Sequence, residues 1–320
     1  MEFKGRTMKA MILAAGKGTR LLPLTGLRPK PLFPVYNTPL LDLTIHQLKQ
    51  TGATDIIINT HHLNQHFNDY FKERTYPGVN LTFSHEPNLL GTAGAIKNVE
   101  EFWDSQPFIV INGDIIHTIN LHTAYQHHME SGNLATLILH QYPRYNQVEI
   151  DQEGNIIAIR DERVRTTVSP TQKLAFTGIH ILSPKLLMDI PPSCYVDIIS
   201  VYLNLMSRGM KIGGYPVDKH YWLDIGTVLD YHRIHQDIDQ KKICLNHLLS
   251  RPQSFSIGES TTVEGYVCGG KNTVIGNHCR IKNCIFWDRV NVDDHLSLEG
   301  CIIGDGVKVT QSLKNRVVVG

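Results

Sequence analysis

The sequence predicts an α/β chain: a mostly parallel mixed sheet flanked by helices, followed by a small parallel β-helix built on hexapeptide repeats. Three observations carry this. From Met8 to about Asp237, apolar runs suited to strands alternate with helical patterns, as in βαβ units. Two glycines, Gly16 and Gly18, make a turn directly after the first of those runs. From Ser256 on, large apolar residues recur about every six positions, the period of a β-helix rung.

Taken in order, Met8, Ala10, Met11, Ile12 and Leu13 form a first buried strand. Leu41–Gln50 reads as a helix closing on Gly52, and Ile56–Ile58 as a short buried strand. His62–Arg74 is an amphipathic helix with Leu63, Phe67 and Tyr70 on one face. Leu81–Phe83 and Phe108–Ile111 are strands, the second running into Asn112-Gly113-Asp114. His122–Ser131 is helical and Ala135–His140 extended. Ligands of such sheets gather at the carboxyl ends of the strands. The Gly16 loop and Asp114 each follow a strand, so they are expected on one edge.

Composition shifts near Arg251. Ile257, Val263, Ile275, Ile281, Trp287, Val292, Leu298, Ile303 and Val309 then mark the rungs, many followed by a small or turn-forming residue. An antiparallel sandwich would need longer spacing and clearer hairpin turns. The expected divisions are residues 8–237, a connector over 238–254, and the β-helix over 255–320.

The 320 residues carry a formal net charge of +1, with both signs interspersed. No basic stripe points to nucleic acid or a membrane surface, and no apolar run approaches the roughly 20 residues of a membrane span. Met1–Thr7 is polar and lacks a signal-peptide core, and Met8-Lys9-Ala10 could itself begin the chain. Four of the six cysteines, Cys268, Cys279, Cys284 and Cys301, fall near the end; they form no C-x-x-C pair and have apolar neighbours, which suits buried thiols in a reducing cytoplasm.

The chemistry concentrates in Leu13–Pro31, which reads L-A-A-G-K-G-T-R-L-L-P-L-T-G-L-R-P-K-P. A strand, a glycine turn and three cations, Lys17, Arg20 and Lys30, make a polyphosphate cradle. A P-loop would need G-K-[ST] where Gly18-Thr19-Arg20 stands, and a dinucleotide fingerprint a glycine at Leu21. Lys17 reads as a surface charge. Lys30, between Pro29 and Pro31 in an apolar neighbourhood, needs a partner. Asp114, at the end of a buried strand, is placed to hold Mg²⁺. The seventeen histidines include His61-His62-x-x-x-His66 and His127-His128, but no H-E-x-x-H glutamate separates any of them, so they read as capping or surface residues.

The string G-x-G-x-R followed by K-P, the Asn112-Gly113-Asp114 strand end and Trp222-Leu223-Asp224-Ile225-Gly226-Thr227 together resemble the sugar-phosphate nucleotidylyltransferases. The resemblance covers most of the chain. It implies a Rossmann-like catalytic domain, a left-handed β-helix, and Mg²⁺-dependent transfer of a nucleotidyl group from a nucleoside triphosphate to a sugar 1-phosphate. The attacking phosphate has a second pKa of about 6, so it needs no general base. The protein supplies alignment and charge neutralisation. No Ser-His-Asp constellation is present or required.

By this resemblance Arg20 holds the leaving pyrophosphate, Lys30 bridges the reacting phosphates, and Asp114 and Asp224 ligate the metal. Leu13, Ala14, Ala15, Gly16, Gly18 and Thr19 line the triphosphate. Glu86, Gly91 and Thr92, in E-P-N-L-L-G-T-A-G-A, face the base; Thr92 also reads as a helix cap and Glu86 as an acceptor for a ring N–H. Asn112, Tyr145, Asn146 and Gly178 take the sugar phosphate. The family's E-K-P is absent; Arg160-Asp161-Glu162-Arg163 stands there, so Arg163 or Arg165 substitutes. L-G-T-A-G-A resembles guanylyltransferases for mannose 1-phosphate, and Phe176-Thr177-Gly178-Ile179-His180-Ile181-Leu182 resembles muramate-type uridylyltransferases. UTP or GTP with an N-acetylmuramate, hexosamine or mannose 1-phosphate is the implied pair, with no nucleic-acid or membrane partner and self-association through the β-helix. Three alternatives fit less well: a regulatory subunit would have lost these residues, a glycosyltransferase calls for D-x-D, and an acyltransferase calls for a longer β-helix.

Overall fold

The structure, a computed structural model, describes residues 8–160, 162–164, 170–245 and 254–320. Residues 1–7, Asp161, Arg165 and the 246–253 part of the expected connector lie outside the described residues. The chain forms two compact units, each drawn from several segments.

The first unit takes the described residues of Met1–Gly16, with Thr44–Gly113 and His117–Trp222. Its sheet is mixed. Phe108–Asn112, Met8–Leu13, Ala53–Thr60 and Asn80–His85 pair in parallel in that order. Met8–Leu13 and Phe108–Asn112 are nearly continuous apolar runs because both of their faces are covered, whereas the edge strand Asn80–His85 is exposed or half-buried throughout. Leu13 pairs with both Asn59 and Asn112, so three strands end in register at one edge. The loops after Leu13 and Asn112 leave from there, as the sequence predicts.

On the other side the ladders are antiparallel and centre on Gln172–Leu182. This long strand pairs with Phe108–Asn112, Ala135–His140 and Asn146–Ile150, and its register breaks between Phe176 and His180. Ile156–Ile159 and Glu162–Arg163 extend the edge, and Ile212–Val217 adds in parallel to Ala135–His140. Met11, Val110, Leu137, Leu139, Tyr202 and Leu205 are fully or almost fully buried in the core of this unit.

Local chemistry sets the helix ends. Leu121–Ser131 starts where the Asn120 side chain accepts from the Thr123 N–H and stops at Gly132, whose φ is 67°. The helix expected over His62–Arg74 is shorter, Asn64–Phe71, because Leu63 takes a left-handed conformation (φ 53°) at its start.

The second unit takes Lys17–Leu43, Asp114–Ile116 and Leu223–Gly320. Its larger part is the β-helix. Ser256–Ile257, Val274–Ile275, Asn291–Val292 and Lys308–Val309 stack in parallel as one wall. A second parallel sheet runs from Thr262–Gly269 through Arg280–Phe286 to the C-terminal strands. Ile275, Ile281, Val292, Leu298, Ile303 and Val309 form the β-helix core with Cys279, Cys284 and Cys301. Trp287, an expected rung residue, is buried outside that core against Phe33, and Cys268 is buried against His235. Two further expected rung residues, Ile257 and Val263, are exposed. They belong to the first coil, and among the described residues no earlier coil covers them. No described helix is long and apolar enough to cross a membrane.

Candidate active site

In the second unit, Gly18 is the residue that closes the turn. Its φ is 61°, and a Cβ there would stand 2.8 Å from Thr25 Cγ2. Thr25 Oγ1 donates to the Gly18 carbonyl (3.1 Å), pinning the loop. Lys17, Thr19 and Arg20 are exposed. The Arg20 guanidinium lies against Gly226, where a Cβ would sit 3.0 Å from both terminal nitrogens. The glycine of the Trp222–Thr227 motif therefore makes room for the arginine of the opening loop.

Lys30 begins a single helical turn, Lys30–Leu32, and is buried. Its ammonium donates to Asp114 Oδ2 at 2.7 Å and to Asp224 Oδ1 at 3.4 Å. These are the partners that its apolar, proline-flanked position required. The Ile225 N–H donates to the Asp114 carbonyl (3.0 Å), fixing the two acidic strand ends side by side. Burial raises the Asp224 carboxyl above its ordinary value, and the Asp114 charge raises it further. Lys30 and Arg20 pull the other way. Two carboxylates thus share one ammonium and remain short of positive charge. All-oxygen donors with that deficit fit a hard divalent cation, which takes one or two carboxylates and completes its shell with phosphate and water. Among the described residues no group of three or more His, Cys, Asp or Glu is disposed to hold a metal.

In the first unit, Gly16 has an ordinary backbone and open space where a Cβ would stand. Its value lies in that space and not in the turn itself. Leu13 pairs at the strand end, and the Ala14 N–H donates to Asn59 Oδ1 (2.8 Å). Asn59 Nδ2 in turn donates to Glu86 Oε1 (2.8 Å), and Glu86 Oε2 accepts from the Leu90 N–H (3.1 Å). Ala14 and Ala15 are buried. Glu86 is only 2 % exposed with both oxygens engaged, so in this structure it clasps its own loop instead of offering an acceptor to a base. Sequence reasoning missed Asn59; a polar residue ending the Ile56–Ile58 run was its signal.

The helix that follows is Gly91–Asn98 with Leu90 at its N-cap and no side-chain cap, so Thr92 lies inside the first turn and caps nothing. Gly91 has φ 70°, and a Cβ there would meet the Val196 carbonyl oxygen at 2.6 Å. Its glycine is demanded by the 194–196 segment.

Gly178 and Asn112 meet. Gly178 has φ 80°, and a Cβ would stand 2.7 Å from Asn112 Nδ2. Beside them Trp222 Nε1 donates to the Thr177 carbonyl (2.9 Å). The Trp222 ring contacts His140 and Tyr142, Tyr142 stacks on Tyr145 (5.7 Å), and the Tyr142 N–H donates to Asn146 Oδ1 (3.0 Å). The structure thus brings Asn112 to Gly178, and Tyr145 and Asn146 to Tyr142; a cavity of about 520 Å³ is lined by His140, Tyr142, His220 and Trp222 among others. Burial, then His220, pushes the His140 imidazole down to about 4, so it is neutral at pH 7. The sequence reading used the tryptophan motif only for its aspartate and missed this wall. Arg163 pairs through its backbone with Ala158; its side chain lies outside the described residues.

Gly178→Ala is expected to destabilise the protein by about 1–3 kcal/mol, through a strained φ and displacement of Asn112, read as a lower thermal denaturation midpoint.

In the second unit, a glycine turn and an ammonium held between two aspartates suit the chemistry of phosphate groups. The chain belongs to the nucleotidyl transferase family, whose profile matches residues 9–241. Residues 248–320 match the GMPPB C-terminal domain. The chain is 28% identical to UTP–glucose-1-phosphate uridylyltransferase of Synechocystis sp., over 96% of this chain and 87% of that one. It is 35% identical to N-acetylmuramate alpha-1-phosphate uridylyltransferase of Neisseria meningitidis serogroup B, over 69% of this chain and 94% of that one. A solved structure of a putative glucose-1-phosphate thymidylyltransferase from Bacillus anthracis superposes with a TM-score of 0.60 at 25% identity, covering 71% and 94% of the two chains. The protein is a sugar-1-phosphate nucleotidyltransferase.

Proposed function

We propose that the protein transfers a uridylyl group from UTP to a hexose, hexosamine or N-acetylmuramate 1-phosphate in a Mg²⁺-dependent reaction. GTP with mannose 1-phosphate is the second pair. One observation carries the site assignment: the buried Lys30 ammonium lies against both Asp114 and Asp224. The uridylyl preference rests on the two uridylyltransferase relatives and the Phe176–Leu182 motif.

Asp114 and Asp224 are the residues that hold the metal. When bound, Mg²⁺ neutralises charge on the α-phosphate and on the departing pyrophosphate. Lys30 donates to the phosphate oxygens whose charge grows in the transition state. Arg20, exposed and backed by Gly226, takes the pyrophosphate. The main chain from Leu13 to Thr19 lines the triphosphate, and the Gly91-Thr92 segment, ordered by Glu86, borders the base. Asn112 and Gly178, with Tyr145 and Asn146, present the sugar phosphate for in-line attack, with Arg163 the substitute for the missing E-K-P lysine. The sugar phosphate is its own nucleophile, so no side chain takes a proton.

The test is a panel of the triphosphates against glucose, N-acetylglucosamine, N-acetylmuramate and mannose 1-phosphates, read by pyrophosphate release. UTP with one of the first three is expected to give turnover that EDTA abolishes and excess Mg²⁺ restores. Release with GTP and mannose 1-phosphate alone would overturn the uridylyl assignment.

A further inference from the structure

Lys30 is tied to the β-helix from both sides. Two residues before it, Arg28 Nη2 donates to both oxygens of Asp305 (2.9 and 2.8 Å) and to Asp288 Oδ2 (3.3 Å). The guanidinium carbon also lies 4.9 Å from the centre of the Trp287 ring, which is fully buried. Three residues after Lys30, the buried Phe33 ring meets the same Trp287 ring edge-on at 5.0 Å. Trp287 Nε1 donates to the Tyr231 hydroxyl (3.2 Å), which donates to the Pro34 carbonyl (2.6 Å). At Gly304 a Cβ would stand 2.8 Å from Leu27 Cδ1, so the coil leaves room there for the loop's own leucine.

The receiving carboxylates are held before Arg28 reaches them. Asp288 Oδ1 accepts from the Lys271 N–H (2.7 Å), and Asp305 Oδ1 accepts from the Asp288 N–H (3.0 Å). Successive coils thus stack two aspartates at one corner of the β-helix, each with an oxygen turned to Arg28. A fixed carboxylate pair facing a planar guanidinium is a strong and directional grip. Pro29 and Pro31 bracket Lys30 and fix their own φ, so a displacement at Arg28 passes to the lysine with little slack.

We propose that the β-helix is a positioning element for the reacting centre, with Arg28, gripped by Asp288 and Asp305, holding Lys30 in place. The proposal rests on the role assigned to Lys30 above. Arg28 touches no substrate; it is a positioning residue. The β-helix is therefore more than packing or an oligomer surface, because removing its grip slows the chemical step.

The test uses full-length Arg28→Ala, Arg28→Lys and the double variant Asp288→Asn/Asp305→Asn, beside Lys30→Ala. With the substrate pair that the wild type turns over, Arg28→Ala and the aspartate pair should each lose about tenfold or more in kcat per folded molecule. The KM for triphosphate should stay within about twofold, because a misplaced lysine costs the transition state before it costs binding. Combining Arg28→Ala with the aspartate pair should add no further loss. Arg28→Lys should recover part of the rate, and millimolar guanidinium should restore part of it to Arg28→Ala alone. Hydrogen exchange at the Leu32 and Phe33 amides, which close the Lys30 turn, should quicken in both variants while exchange in the Met8–Leu13 strand does not. Unchanged kcat with unchanged exchange would overturn the positioning role. So would a loss fully matched by a smaller folded fraction. If Lys30→Ala itself kept its rate, the site assignment would fail instead, and the exchange measurement would still decide whether Arg28 holds the loop.

Discussion

Lys30→Ala is expected to lower kcat by about a thousandfold, the scale of losing a donor to charge that develops in the transition state. The protein should stay folded. The ammonium is buried, but its two acceptors are not: the side chains of Asp114 and Asp224 retain about a third of their exposure (34% and 29%). Water and counter-ions can replace the lysine around them, so the stability loss should be about 1 kcal/mol. A second consequence follows from the sharing of one cation by two anions. Removing the ammonium leaves the carboxylate pair uncompensated, so its affinity for divalent cations should rise while turnover falls. Titration calorimetry with Mg²⁺, thermal denaturation and steady-state kinetics separate these effects. A variant that kept near-normal turnover would show that Lys30 serves only to neutralise the aspartates.

Asp114→Asn should be comparably damaging, by about a hundred- to a thousandfold in kcat. The substitution is isosteric and keeps the Ile225 hydrogen bond, which goes to the Asp114 main chain. The fold should survive. Two effects then combine: one of the two charges proposed to hold the metal is lost, and Lys30 keeps Asp224 as its single anionic partner. The Asp224 carboxyl, raised in part by Asp114, should move down when that charge is removed. Because a raised carboxyl destabilises the fold when ionised, that downward move should offset part of the stability lost with the Asp114–Lys30 ion pair (2.7 Å) above the ordinary carboxylate range. That offset should vanish as pH falls and Asp224 is protonated. Denaturation midpoints at pH 7 and at pH 3 for both proteins check the sign.

These residues also show what could be read from the chain before its structure. Strand ends, glycine turns and the Lys30 environment are local, and local pattern found them. Asp114 was legible both from its place at the end of a buried strand and from the N-G-D string, Asp224 from the W-L-D-I-G-T string alone, and the structure brings them to the same ammonium. Pairing order was harder. Gln172–Leu182 joins three antiparallel partners through an irregular register, and no hydrophobic period announces that. Asn59 and Glu86 escaped in different ways. One was overlooked, and the other was read as facing a ligand although burial turns both of its oxygens inward. Gly91 reads from the sequence as facing the base; that its glycine is also required by the Val196 carbonyl, a hundred residues on, only the structure shows. The link from Arg28 to Asp288 and Asp305 spans more than two hundred residues of sequence. Nothing in spacing or periodicity could have paired them.

Phosphorus-31 NMR of the wild-type protein with Mg²⁺, UTP and the candidate sugar 1-phosphates tests the central claim most directly. Transfer at the Lys30–Asp114–Asp224 cluster predicts loss of the sugar-phosphate resonance with equal growth of pyrophosphate and of a paired diphosphate signal from the sugar nucleotide. Both products should disappear with Lys30→Ala. Formation of nucleoside diphosphate or orthophosphate with the sugar 1-phosphate left intact would contradict the account.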